Sequence, residues 1–266
     1  MIAFPDWLAQ YQIDDTVFAE AYEATKPQLR AWMKKTIAQV YGISAPDSPR
    51  KEWNVRTWPG GFETEVSVRP LDWTIMLIDQ ESVSPVRLLA ALVPALASGV
   101  KNVLVAFVGS GEISEPVLTG FELAGQEDVV CIEQEKLSEL LDFMSAASYA
   151  GAVLDLRGKA ESLSDHPELR YWRARKISSI CVCKDEESPD LDILAFAHPD
   201  VGFIEADEES YAETQADAVV VPAELAGEAL LAFRIVLTFG QEGCWIWNDF
   251  GYRFFRQESV VLTNAE

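Results

Sequence analysis

The stretch from Ser82 to Ile132, SVSPVRLLAALVPALASGVKNVLVAFVGSGEISEPVLTGFELAGQEDVVCI, constrains the fold more than any other part of this chain. It holds two helix-like apolar patterns, each followed by a short strand made almost wholly of apolar residues. A strand that is apolar on both faces must be covered on both, and helices crossing between parallel strands supply that cover. The alternation therefore predicts an α/β protein. In that class ligands bind outside the carboxyl ends of the strands.

The pattern extends to both sides. Residues 15–41 place Phe18, Tyr22, Leu29, Trp32, Met33, Ile37 and Val40 near helical spacing, with Pro27 as a divider. Residues 42–61, punctuated by Pro46, Pro49 and Pro59, read as a linker or extended arm. Residues 62–68 alternate like a strand with one wet face, and 71–78 suit a buried strand. Then come a helix over 85–98 closed by Gly99, a strand over 102–108, and a helix over 114–124 ended by Gly125. A strand over 128–132, a helix over 135–147 and a strand over 151–156 follow. Farther on the sequence predicts a helix over 167–175, strands over 177–183, 200–205 and 218–221, and a long helix over 222–238. A C-terminal β-hairpin is expected around Asn248-Asp249-Phe250-Gly251. The expected architecture is a Rossmann-like, mostly parallel sheet flanked by helices. Residues 1–60 form an N-terminal helical segment with its Pro-rich linker, and residues 61–266 the Rossmann-like α/β domain.

Charge narrows the partners. With 43 acidic residues against 21 basic ones the formal charge is -22. Such a surface repels a phosphate backbone and an anionic membrane, so no nucleic acid and no membrane partner are expected. No apolar run approaches the ~20 residues that span a bilayer. The opening MIAFPDWLAQYQIDD lacks a basic region and a cleavage site. Four cysteines do not read as a disulfide framework, so a reducing cytoplasmic setting is expected.

The candidate sites each have two readings. Gly109-Ser110-Gly111, with Ser114 three residues on, follows a strand and opens a helix. Backbone N–H groups there could approach a phosphate, with Glu133 or Glu135 as a ribose partner; the alternative is a plain tight turn. Gly240-Gln241-Glu242-Gly243-Cys244 sets a thiol among glycines, as a nucleophile requires, while Trp245 and Trp247 point to packing. Cys181 and Cys183 share one strand face as a metal pair or as buried apolar residues, and no further ligands complete a site. His166 and His198 are the only histidines, and no G-x-S-x-G elbow accompanies them. The acidic runs 184–187 and 205–209 are cation ligands or solvated loops. No metal is expected.

The segment that opens this reading resembles the aldehyde dehydrogenase and histidinol dehydrogenase superfamily. LDWTIMLID, the proline before SPVRLLAALVPALASGV, and KNVLVAF follow its pattern, with Pro94-Ala95 and Ser98-Gly99 at its Pro-Ala and Ala-Gly positions. EPVLTGFELAGQEDVVCI is similar to the histidinol dehydrogenase pattern, and LTFGQEGC to the Gly-Gln-x-Cys nucleophile motif, with one extra residue before Cys244. The resemblance covers roughly residues 66–244, over the cofactor-binding lobe. It implies NAD(P) as the cofactor to test, at Gly109, Ser110, Gly111 and Ser114, and Cys244 as nucleophile.

Other positions depart from the pattern. The cofactor lysine has no match in Ala106-Phe107-Val108-Gly109. The Phe-Thr-Gly-Ser segment becomes Leu154-Asp155-Leu156-Arg157-Gly158, and the general-base Glu-Leu-Gly-Gly segment is not found where expected. The superfamily's second lobe after the cysteine corresponds to only 22 residues here, Trp245 to Glu266. The sequence therefore leads to a non-catalytic dehydrogenase-like module acting in ligand binding or assembly. The alternative is an NAD(P)-dependent oxidoreductase using Cys244. Residues 52–70 are expected to form an arm to a second subunit, since a short hairpin needs a partner.

Overall fold

In the computed structural model, which describes residues 4–44, 51–146, 150–158, 166, 169–184 and 189–264, the strands fall into three sheets. Helices α1 (Asp15–Ala24) and α2 (Pro27–Ser44) come first, then β1 (Glu52–Trp58) and β2 (Phe62–Pro70). Next are β3 (Trp73–Ile78), α3 (Pro85–Ala97), β4 (Asn102–Val108), α4 (Glu115–Ala124) and β5 (Val129–Ile132). They are followed by α5 (Gln134–Ala146), β6 (Gly151–Asp155) and β7 (Arg170–Arg173). The last part holds β8 (Ser179–Cys183), α6 (Leu191–Ala197), β9 (Gly202–Ala206), β10 (Ala218–Val221), α7 (Ala226–Ala232), β11 (Val236–Thr238) and β12 (Arg256–Asn264).

The first sheet is parallel throughout, in the order β5-β4-β3-β6-β7. Its order reverses between β3 and β6, which makes their carboxyl ends a topological switch point. The second sheet is also parallel, in the order β11-β10-β8-β9. The third is antiparallel and joins β1, β2 and β12.

Helix α3 shows why the apolar run at 85–95 is so long. Ser84 caps it by accepting from the Arg87 N–H at 3.3 Å, and Pro85 occupies its first turn, where a missing N–H costs nothing. Every residue from Pro85 to Ala95 is buried. A helix that is apolar all round has no face for solvent. Here one core cluster joins α3 to Met76 and Val105 of the first sheet and to Val182 and Val220 of the second. The opposite face of the first sheet, with Ile75, Leu77 and Leu104, packs on Leu137, Leu140 and Met144 of α5. Alternation along β3 sends its side chains to both layers, and each fully buried aliphatic contributes about 1.5–3 kcal/mol. Gly151 starts β6 against the buried Trp73 indole; a Cβ there would lie 1.8 Å from the ring.

Several expectations are corrected. The strands expected in one mostly parallel sheet are divided between two. Residues 170–173 of the expected helix 167–175 form β7, with Trp172 turned into the core; residues 167 and 168 lie outside the described residues. The aromatic pair there fits a pleated surface better than a helix. The long helix 222–238 is broken. Pro222 leads into a short 3-10 turn, α7 ends at Ala232, and Val236–Thr238 pair with Val219–Val221 of β10. The branched residue Val236 gains more in a sheet than in a helix. The expected C-terminal hairpin takes the form of one strand, β12, on β2. Its aromatic residues pack instead, with Phe250 stacked on Trp172 at 4.3 Å and Trp247 edge-on to it at 5.3 Å. Residues 45–50 of the Pro-rich stretch lie outside the described residues, and 52–58 are strand β1.

Candidate functional site

At the switch point the chain ties two loops together. The Asp79 carboxylate accepts from the N–H groups of Glu81 at 2.9 Å and Gly158 at 3.2 Å, and the Ser82 hydroxyl donates to the Leu156 carbonyl at 2.9 Å. Gly158 is required by this approach, because a Cβ there would lie 2.6 Å from that of Glu81. The loops after β3 and β6, the segment after β7 and Asp200 before β9 enclose a cavity of about 740 Å³. It lies outside the carboxyl ends of β3 and β6, where this class of sheet takes ligands.

Cations dominate the wall. Arg87, Arg157, Arg173, Arg175 and Lys176 line it, against the carboxylates of Glu81 and Asp200. Arg87, on the first turn of α3, is buried and paired with Asp200. Burial draws its pKa down and Asp200 opposes the shift. Asp155, buried at the end of β6, accepts from Arg157 Nε at 2.9 Å and Nη2 at 3.1 Å, and from Arg173 Nη2 at 3.5 Å. That two-pronged bond fixes the Arg157 guanidinium, and the buried pair depends on both partners. Arg175 and Lys176 form no ion pair among the described residues, and the Nε atoms of Arg87 and Arg175 are buried without hydrogen-bond partners. His198 is fully buried, edge-on to Trp245 at 4.9 Å, with neither ring nitrogen bonded. Burial, helped by the Arg87 charge, pulls it down to about 3, so it is neutral.

The residues singled out from sequence stand elsewhere. Gly109 and Gly111 adopt φ of +115° and +155°, which only glycine accepts readily, in a turn at the carboxyl end of β4. The Gly109 N–H is already donated to the Ile132 carbonyl at 2.9 Å. Ser114 precedes α4 without a side-chain cap bond, and its hydroxyl is buried without a partner. None of Gly109, Ser110, Gly111 or Ser114 lines the large cavity.

Cys244 lines a different cavity of about 370 Å³, beside Gln39, Val40 and Ile43 of α2. Its side chain is buried. Burial raises the thiol pKa and Glu242 adds to this, against the lowering effects of Thr36 and Lys35. The glycines around it have structural reasons. Gly240 has φ +83°, and a Cβ on Gly243 would sit 2.7 Å from the Trp32 ring. Thr36 donates to the Gly243 carbonyl at 3.0 Å. The two cavities share no lining residue.

Cys181 and Cys183 are both buried, in a cluster with Tyr211, Val219 and Phe233. No group of ligating residues that could hold a metal occurs among the described residues. Residues 185–187 of the first acidic run lie outside the described residues; in the second, Asp207 accepts from the Ser210 N–H at 2.9 Å and so closes a turn. His166 faces Asp142 at 3.7 Å. No helix among the described residues is long and apolar enough to cross a membrane. The basic cavity was missed from sequence. Its one signal is RYWRARK at 170–176, four cations in seven residues of an acidic chain.

No family model matches this sequence, and no curated protein matches it. Solved structures do. Histidinol dehydrogenase from Elizabethkingia anophelis superposes over 96% of this chain and 77% of its own, with TM-score 0.57 and 10% identity. Succinate-semialdehyde dehydrogenase from Burkholderia pseudomallei superposes over 94% of this chain and 83% of its own, with TM-score 0.50 and 8% identity. The chain shares the fold of the aldehyde dehydrogenase and histidinol dehydrogenase superfamily. At 96% of this chain the superposition extends beyond residues 66–244.

Proposed function

We propose that this chain is a dehydrogenase-like Rossmann module that binds a ligand at the switch-point cavity and carries out no thiol chemistry. What supports this reading is the separation of parts. Cys244 lies buried at α2 with a raised pKa, while the large cavity holds no cysteine and no histidine. A nucleophile must meet its substrate in attack geometry, and proximity is much of such catalysis. NAD(P) fits this chain only in part. Arg175 and Lys176 offer charge for phosphates, but the glycine turn at 109–111 is outside the cavity wall. The test is a thermal-shift titration with NAD and NADP beside an assay for aldehyde-dependent NADH formation. Reduction of the nucleotide by an aldehyde would overturn the reading.

The alternative is an NAD(P)-dependent aldehyde or acyl oxidoreductase with Cys244 as nucleophile, favoured by the likeness of LTFGQEGC to that motif. It requires fast, selective alkylation of Cys244 over Cys131, Cys181 and Cys183. The free state of these cysteines supports a reducing, cytoplasmic setting.

Assembly is the second part of the proposal. The antiparallel sheet of residues 52–70 and β12 leaves Trp53 68% and Leu262 70% exposed, on strands that are both sheet edges. Residues 51–70 and 256–264 carry four basic and four acidic side chains, a neutral patch on an otherwise acidic chain. Unpaired edges and apolar faces invite pairing, and a second copy of this chain is the proposed partner. Light scattering of the full chain against Trp53→Lys tests it; an unchanged mass would refute the arm.

A further inference from the structure

We infer that the switch-point cavity binds a compact organic dianion, carrying phosphate or carboxylate groups, with Arg175 and Lys176 as the docking cations. The inference rests on the ligand-binding reading above and names the class of ligand. Five of the chain's 21 lysines and arginines line this one cavity. Arg87 is matched by Asp200, and Arg157 and Arg173 share the single carboxylate of Asp155. Among the described residues the wall carries five cations, of which Arg87, Arg157 and Arg173 have a carboxylate partner.

Arg175 and Lys176, which form no ion pair among the described residues, are adjacent on the segment that carries β7 toward β8. The covered Nε of Arg175 has no acceptor, and neither does that of Arg87, a residue only 8% exposed. A buried donor without a partner is costly, so an anionic acceptor at this wall relieves an existing penalty. Charge-assisted bonds from guanidinium groups then hold it.

The remainder of the wall sets size and character. Val83, Leu88, Leu156, Ile177 and Trp247 supply apolar surface between the cations. A cavity of about 740 Å³ with such a lining suits an organic molecule better than a bare ion. The exposed Arg173 and Lys176 at the rim give an anion a favourable approach to a chain whose net charge of -22 otherwise repels it.

The test titrates the full chain at about pH 8 with glycerol phosphate and, separately, succinate, following melting temperature and heat of binding, with NAD in a parallel arm. At least one dianion is expected to give a saturable rise in melting temperature that weakens as salt is raised. A response to glycerol phosphate alone assigns phosphate chemistry, and one to succinate alone assigns carboxylate chemistry. Arg175→Gln with Lys176→Gln is expected to raise Kd about tenfold or more, equivalent to about 1.4 kcal/mol, with the ligand-free melting temperature unchanged. Lys34→Gln with Lys101→Gln, two exposed lysines remote from this wall, is expected to leave Kd unchanged. No shift with either dianion, or equal binding by the two double variants, overturns the inference. Saturable NAD binding that survives loss of Arg175 and Lys176 also overturns it, while leaving the ligand-binding reading intact. Aldehyde-dependent NADH formation overturns that reading instead, whatever the dianions do.

Discussion

The cavity at the switch point and the cavity at Cys244 are opposites. The larger, at the switch point, is walled by arginines held by the buried Asp155 and by Asp200, beside two cross-tied loops. The smaller, at Cys244, is walled mainly by apolar and uncharged side chains of α2 and of the segment after β11. One has charge to offer a ligand and no nucleophile. The other has a thiol whose burial outweighs the lowering effects of Thr36 and Lys35. The contrast teaches that a cysteine set among glycines can be placed by packing, while charged side chains far apart in sequence converge where strand order reverses.

The sharpest way to break the contrast is Asp155→Ala. It leaves the Arg157 guanidinium buried and unpaired, and a loss of about 3–5 kcal/mol in denaturant unfolding is expected. A loss under about 1 kcal/mol would mean that Asp155 does not organise the wall. On the other side, Gly243→Ala forces a methyl into the Trp32 ring and is expected to cost up to about 3 kcal/mol, with dianion binding untouched. If that variant changes ligand affinity, the cavities are coupled.

His198 comes next, through pH. Its folded pKa lies far below the unfolded value, so its contribution is complete above about pH 6.5 and is lost as pH falls toward its folded value. The unfolded state binds a proton that the folded state refuses. By about pH 5 the parent should have lost about 2 kcal/mol through this group, and His198→Phe should not. Urea midpoints of both proteins at the two pH values measure this; parallel curves would place the histidine in a wetter setting. The smallest effect belongs to Cys244→Ala, expected to cost about 1 kcal/mol and to leave binding unchanged. In native labelling the half-buried Cys131 should react ahead of Cys181, Cys183 and Cys244. Faster reaction at Cys244 would favour the oxidoreductase alternative.

The fold was legible wherever one element carried one strong period. Strands β3 to β6 and helices α3 to α5 lie within a residue or two of their expected bounds, because apolar runs and glycine stops coincide there. It was illegible where tertiary context decides. Val236 and Leu237 continue an apolar pattern that suits either structure, and only the neighbouring β10 makes them strand. Trp245, Trp247 and Phe250 look like strand residues but serve an aromatic cluster. The binding wall was harder still. Arg87, Arg157, Arg175 and Asp200 are spread over more than a hundred residues, and no local spacing announces that one crossover and two loops bring them together.

The pairing of β12 with β2 has a consequence in time as well as in space. Val260 lies opposite Val66, and Leu262 opposite Thr64, so this sheet cannot close until residues 256–264 have been made. Closing so long a loop must be offset before any of its nine paired positions contributes, which makes it a late step in folding. During synthesis β1 and β2 therefore wait as a two-stranded ribbon with an open edge, marginal alone in water. The clasp makes the start and end of the described chain depend on each other, so a shortened carboxyl terminus is expected to loosen residues 52–70 first.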